Sequence, residues 1–450
     1  MSSGSRGCAE GESFIQRRLA LGESIGPKHI PGIAYQKLSM SSIRCRMCGS
    51  NHLEEFLHLG HHPPANSLLS PAALKEPETH YPLTMLLCLD CALVQLGYVV
   101  PKEVLFGAEY PYDTSASRTL REHFDAMATA LTQRFALGAK DLVVDIGSNV
   151  GVLPGAVQAL GVRALGIEPA QNMAAKANAL GIETIHGFFS EALASQVVGS
   201  HGQASVITAT NVFAHIDDLQ EVVAGVRALL APHGAFTIEV QYFLDMVRHL
   251  EYDQIYHEHY SYMTLHPLVR FFTSLGLEVF DVERIATHGG SLRVFSGLPG
   301  KHPIDTAVGD LLQEEETAGV NQVGPLVEFG HRVAKSRDAL VELLVTLKSK
   351  GKRTVGIGAP AKASTLLNYA NLSDNLIEFL TDSAPSKVGL HLPGVHIPVV
   401  PESRLSEEQP DYAILMAWNI KQELMAKFAS FERSGGRFIV PVPEPAVLGE

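Results

Sequence analysis

The chain is poor in cysteine, with five in 450 residues, has a single tryptophan, and is short of positive charge, with 35 Lys and Arg against 48 Asp and Glu. A formal net charge of −13 argues against nucleic acid as a partner, because phosphate binding needs clustered cations to displace counterions. No apolar run approaches the ~20 residues that cross a bilayer. The first forty residues also lack the apolar centre of a secretory signal. The expectation is a cytoplasmic protein with no membrane partner. Four cysteines stand in two pairs and only Cys8 is left over, which reads as metal ligation and not as a secreted disulfide framework.

Hydrophobic residues at 46% and charged residues at 18% describe an ordinary globular chain, and its length suggests about three domains. The sequence leaves the oligomeric state open, a monomer included. Residues 1–41 mix Gly, Ser and charge without a sustained period and read as an extension without assigned chemistry. Residues 42–105 hold the cysteine pairs. Residues 106–300 alternate strands and helices, with strands expected at Leu142–Ile146, Val162–Glu168, Thr184–Gly187, Val206–Thr210, Phe236–Val240, Leu277–Ile285 and Leu292–Phe295. Residues 301–450 repeat the alternation at Thr354–Ile357, Glu378–Asp382, Tyr412–Met416 and Phe438–Val440. Such alternation implies α/β domains, each with a parallel sheet covered on both faces.

Cys45-x-x-Cys48 and Cys88-x-x-Cys91 form two knuckles whose thiolates suit one tetrahedral zinc ion, closed and therefore structural. The turn Asp145-Ile-Gly147-Ser148-Asn149-Val-Gly151 follows a buried strand and opens a helix, as nucleotide-binding turns do. Glu168 ends the next strand about twenty residues on, where a carboxylate binds ribose hydroxyls. NAD and S-adenosylmethionine (SAM) sites share this logic. Phe188, placed for adenine, and Asn211, after the fourth strand, favour SAM in a Rossmann-like class I methyltransferase domain.

Between Tyr252 and Tyr262 lie two imidazoles, two carboxylates and several phenols. Either histidine, His257 or His259, offers a base with a pKa near neutrality, Glu258 an orienting carboxylate, and the tyrosines hydroxyls to steady an enolate. Tyr110 and Tyr112 belong to a segment that reads either as a linker or as an arm across the cleft. In the last unit, a second Rossmann-like α/β domain, the turn Gly358–Lys362 places Lys362 for a phosphate, while Trp418 and Asn419 end a buried strand, where open sheets seat ligands.

The chain resembles the nucleotide-sugar C-methyltransferases of deoxysugar biosynthesis, typified by sugar 3-C-methyltransferases of antibiotic pathways. The resemblance runs over residues 43 to 447. It is carried by both CxxC pairs, Tyr110-x-Tyr112-Asp-Thr-Ser, Asp145-Ile-Gly-Ser-Asn-x-Gly151, Tyr256-His-Glu-His259, His288-Gly-Gly-Ser291, Gly358-Ala-Pro-Ala-Lys362, Pro393-Gly-x-His-Ile-Pro398 and Ala417-Trp-Asn419. It implies SAM and structural Zn2+ as cofactors and a nucleotide-linked 4-keto-deoxysugar as the small-molecule substrate, methylated beside the ketone at C-3, with C-5 left open. His259 would remove the proton beside the ketone, assisted by Tyr256, Glu258 and one of Tyr110 and Tyr112, with His288, Lys362, Trp418 and Asn419 on the sugar side. Methylation of oxygen or nitrogen on another metabolite is the alternative.

Overall fold

The computed structural model describes residues 43–105 and 113–449. Tyr110, Tyr112, Cys8 and the extension lie outside the described residues. Three sheets organise the rest.

The first is antiparallel: β1 (Leu53–His62), β2 (Tyr81–Cys88), β3 (Val94–Leu96) and, at its far edge, β9 (Ser261–Tyr262), which arrives from the middle of the chain. The short strands expected around the cysteines include a ten-residue β1 that is bent at two register shifts. The Sγ atoms of Cys45, Cys48, Cys88 and Cys91 lie within 4.8 Å of one another, with Cys45 and Cys91 3.4 Å apart and Cys48 and Cys88 3.5 Å apart. A tetrahedron built on Zn–S bonds of ~2.3 Å has edges of ~3.8 Å, so the four thiolates fit one zinc ion with no ligand position left over. His58 and His62, on the neighbouring β1, are engaged with the Thr84 hydroxyl and the Leu59 carbonyl.

The central sheet runs β10 (Glu278–Ile285), β11 (Ser291–Gly297), β8 (Leu230–Gln241), β7 (Ala204–Thr210), β4 (Leu142–Ile146), β5 (Arg163–Glu168) and β6 (Thr184–His186). β4 is buried along its whole length, as an uninterrupted apolar run in the middle of a parallel sheet must be. The expectation of an all-parallel sheet is corrected at one edge. β11 runs antiparallel to both β8 and β10, because the link from β10 to β11 is a short turn through Thr287–Gly289, and a parallel return needs a crossover of a dozen residues or more. Helices cover both faces. Leu219–Leu229 buries Leu219, Val222, Val223 and Val226 at helical spacing behind an Asp218 cap, and Arg118–Arg134 packs Phe124, Met127 and Leu131 on the other side with Val143, Val206 and Phe295.

The third sheet is β14 (Val399–Pro401), β13 (Leu380–Asp382), β12 (Thr354–Ile357), β15 (Tyr412–Leu415), β16 (Arg437–Val440) and β17 (Ala446–Val447), parallel except for the last pair. A 27-residue helix, Val323–Ser349, leads into it. One apolar cluster runs from Met47 and Leu83 through Phe213 and Phe272 to Leu366 and Ile414, so the three sheets share a core. Among the described residues no helix is long and apolar enough to cross a membrane.

Arg46 stands between the first two zinc ligands and reaches out of the knuckle. Its guanidinium donates to the carbonyls of Leu96 and Tyr260, both at 3.1 Å, and pairs with Asp217 at 3.1 Å. Chelating the metal should therefore loosen a segment more than 160 residues away in sequence. By hydrogen exchange, amides of β3 and β9 are expected to lose protection on chelation while those of β4 and β5 keep it. Unchanged protection at β9 would show that the metal does not support the edge.

Candidate active site

The strand order turns back on itself at β4, with β5 on one side and β7 on the other, and open α/β sheets receive ligands at the carboxyl ends of the strands flanking that point. The turn after β4 is built for close approach. Gly147 has a φ of 71°, and a Cβ there would lie 2.4 Å from Val212 Cγ2. Gly151, at 79°, opens the helix Val152–Ala159 and would drive a Cβ to 2.7 Å from Ile182. Asn149 also has positive φ, at 52°, a conformation asparagine tolerates. The middle position thus has a backbone suited to glycine, without the glycine itself.

Glu168 faces this turn. Its two oxygens accept the amides of Asn149 and Ala170, each at 2.7 Å, which fixes the carboxylate while leaving lone pairs for a diol. Burial raises its pKa, and the two amides work against that. Asp145, at the end of β4, is buried, accepts the Thr208 hydroxyl at 2.6 Å, and is pushed up to about 7 by burial. A cavity here is lined by Thr114, Asp145, Gly147, Ser148, Asn149 and Thr210, and the buried hydroxyls of Ser148 and Thr210 have no protein partner. A glycine cradle, a fixed carboxylate and two hydroxyls awaiting partners fit a nucleoside cofactor. Phe188 stands on the exposed rim after β6, and Asn211 begins the loop after β7, its amide bound to the Glu239 carbonyl at 2.8 Å.

That loop meets the Tyr252–Tyr262 segment. The Tyr260 amide donates to the Ala214 carbonyl at 2.8 Å, and the His215 and His259 rings meet edge to face at 4.9 Å. His259 lies against Tyr256, with ring centroids 4.1 Å apart. Its Nδ1 is 3.0 Å from the Gln254 carbonyl. A carbonyl only accepts, so Nδ1 carries the hydrogen and Nε2 is the basic nitrogen. Glu258 points the other way, into a buried site where both its oxygens accept the Asn66 amide at 2.9 and 2.8 Å, and burial pushes its pKa up to about 7. His257 is buried against the Tyr81 carbonyl, and burial lowers it to about 4.

The structure also joins Lys362, Trp418 and Asn419. Lys362 Nζ lies 4.1 Å above the Trp418 ring and 2.5 Å from Asn419 Oδ1. Trp418 Nε1 donates to Asp253 at 2.6 Å. His288 sits in the turn Thr287–Gly289. Sequence reasoning missed Asn66, Gln254 and Asp253. Asn66 and Asp253 are ordinary polar residues until the fold buries them, and Gln254 acts through a backbone atom that no side-chain pattern reveals.

Models of known families match in chain order: a zinc binding domain over residues 45–106, a methyltransferase domain over 120–282 and a C-methyltransferase C-terminal domain over 286–443. Over 405 residues the chain is 36% identical to the C-methyltransferase NovU of Streptomyces niveus, an alignment covering 90% of this chain and 96% of that protein. The chain belongs to the C-methyltransferase family. Solved structures match it in part. Magnesium protoporphyrin IX methyltransferase from Synechocystis PCC 6803 with bound SAM is 13% identical over 39% of this chain and 78% of its own, at a TM-score of 0.30. PH0226 from Pyrococcus horikoshii OT3 is 15% identical over 42% and 96%, at 0.34. Neither of these two bears on the chemistry. The chain is a SAM-dependent C-methyltransferase with a zinc-binding domain, and the four clustered cysteines suit a structural zinc.

Two measurements check the site. Gly147→Ala should weaken SAM binding by about tenfold or more in calorimetry, since both the positive φ and Val212 oppose a methyl group; wild-type affinity would contradict the cradle. Glu258 carries a pH signature. The folded protein keeps its proton up to about pH 7, whereas the unfolded chain releases it above 4.5. The resulting stability is fully present below pH 4.5 and is lost as pH rises to about 7. In urea titrations the Glu258→Gln protein should lose less stability than wild type over that interval, and parallel curves would contradict the assignment.

Proposed function

We propose that this C-methyltransferase methylates C-3 of a nucleotide-linked 4-keto-deoxysugar, with His259 as the base. The supporting observation is the fixed tautomer of His259, whose Nδ1–H is held by the Gln254 carbonyl at the loop that follows β7. A carbon beside a ketone is acidic enough for an imidazole at neutral pH, provided that the base is aligned with the C–H bond. A carbon nucleophile requires such a base, whereas an amine does not. The order of the three family matches, ending in a C-methyltransferase C-terminal domain, supports carbon over oxygen or nitrogen.

Nε2 takes the proton, and the C–H electron pair becomes the enolate. Tyr256, packed on the imidazole, limits its rotation and lines the approach of the sugar. Imidazolium charge developing on His259 is stabilised by the carbonyl at Nδ1. Glu258 anchors the segment through Asn66. Glu168 and the glycine turn would hold SAM, which would supply the methyl group to the enolate carbon, its S–C bond breaking as the new C–C bond forms and S-adenosylhomocysteine leaving.

His259→Asn should reduce methyl transfer to a panel of nucleotide 4-ketosugars by orders of magnitude, by about 10²–10⁴-fold for the loss of a general base, while SAM binding persists. In deuterated water, wild type should exchange the hydrogen at the carbon beside the ketone and the variant should not. Full turnover in the variant would remove the base from His259. Methyl transfer without any exchange would favour an oxygen or nitrogen acceptor.

A further inference from the structure

The C-terminal domain touches the Tyr252–Tyr262 segment near its start. The helix Ala361–Tyr369 packs on the turn Tyr252–Gln254, and its contacts are specific. Thr365 Oγ1 donates to the Ile255 carbonyl at 2.8 Å, and Trp418 Nε1 donates to Asp253 Oδ2 at 2.6 Å. Asp253 is fully buried, so its carboxylate needs that donor and the nearby Lys362 charge to remain there. Inside the turn, Gln254 Nε2 donates to the buried Glu251 at 3.0 Å, and the Ile255 amide to the Tyr252 carbonyl at 3.1 Å. The two anchored residues, 253 and 255, flank Gln254, whose carbonyl receives Nδ1–H of His259.

We infer that Trp418 and Thr365 are positioning residues for the catalytic base, acting through the 253–255 turn to hold the Gln254 carbonyl on Nδ1 of His259. This rests on His259 being the base. It also gives Trp418 and Lys362 a different task from the substrate contact suggested by their place at the strand ends. Lys362 lies under the Trp418 ring, its charge directed at Asp253 and Glu251, and both carboxyl groups are raised by burial and drawn back down by the lysine.

The sign of the effect follows from the hydrogen bond. A carbonyl on Nδ1–H favours imidazolium over imidazole, so loosening it lowers the pKa of the base and weakens it. In Trp418→Phe, which keeps a ring and loses the donor, and in Thr365→Val, which keeps shape and loses the hydroxyl, kcat should fall by about tenfold or more, as small displacements of a reacting group do. KM for the nucleotide sugar and the affinity for SAM should stay within about twofold. The acid limb of the kcat/KM profile should move to lower pH, and deuterium exchange at the carbon beside the ketone should slow in step with methylation. The assays use the full-length zinc-loaded enzyme.

A raised KM with kcat and the pH profile unchanged in both variants would overturn the positioning role in favour of a substrate contact. Wild-type kcat, pH profile and exchange rate in both variants would overturn it as well. His259→Asn separates failure of this inference from failure of the base assignment. If that variant keeps full exchange and turnover, the base reading has failed; if it is inactive while both positioning variants behave as wild type, only the network has failed. Thr365→Val introduces no cavity and tests the same carbonyl should Trp418→Phe fold poorly.

Discussion

Everything at the centre of the molecule depends on holding a short irregular segment, Tyr252–Tyr262, that forms little regular structure of its own. A backbone stretch of this kind, buried with the imidazole of His257 and two carboxyl groups, must find outside partners for its polar groups. It finds them in both flanking domains. From the zinc module come the edge of β3, the guanidinium of Arg46 and the amide of Asn66; from the C-terminal domain come Thr365 and Trp418. The central sheet contributes chiefly the loop after β7. The methyltransferase domain therefore does not by itself hold His259 in place.

This division of labour explains the electrostatics. Glu251, Asp253 and Glu258 are all buried within eight positions, and burial raises each of them. Unshared, three carboxylates so close would repel and resist burial. Each instead has its own donor: Gln254 for Glu251, Trp418 for Asp253 and Asn66 for Glu258. The acidity of the segment is thereby shared among three donors, and the Nδ1 of His259 is held by a backbone carbonyl.

Much of this was legible in the sequence, for identifiable reasons. Buried parallel strands such as Leu142–Ile146 and Thr354–Ile357 announce themselves as short apolar runs ending in turn residues, and both lie where the pattern puts them. The cysteine pairs could be read because metal chemistry fixes residue type and spacing together. Two-residue β9 and three-residue β14 could not, since strands that short carry no period and exist only because a partner edge is present. The antiparallel turn at β11 was misread because an alternating apolar pattern does not state direction. The clamp around Gln254 was invisible for a deeper reason: its working atom is a main-chain carbonyl, and its supports come from distant parts of the chain.

Those distances have a consequence for how the protein comes into being. Asn66 and Glu258 are 192 residues apart, Asp253 and Trp418 165, and Ile255 and Thr365 110. Contacts so remote close after the entropy of long loops has been overcome, the last of them only once Trp418 has left the ribosome. A nascent or clipped chain can thus acquire the glycine turn and its cavity well before Tyr252–Tyr262 is held from both sides. The order of assembly makes the complete site a property of the whole fold, and ties quality control of the fold to the chemistry it performs.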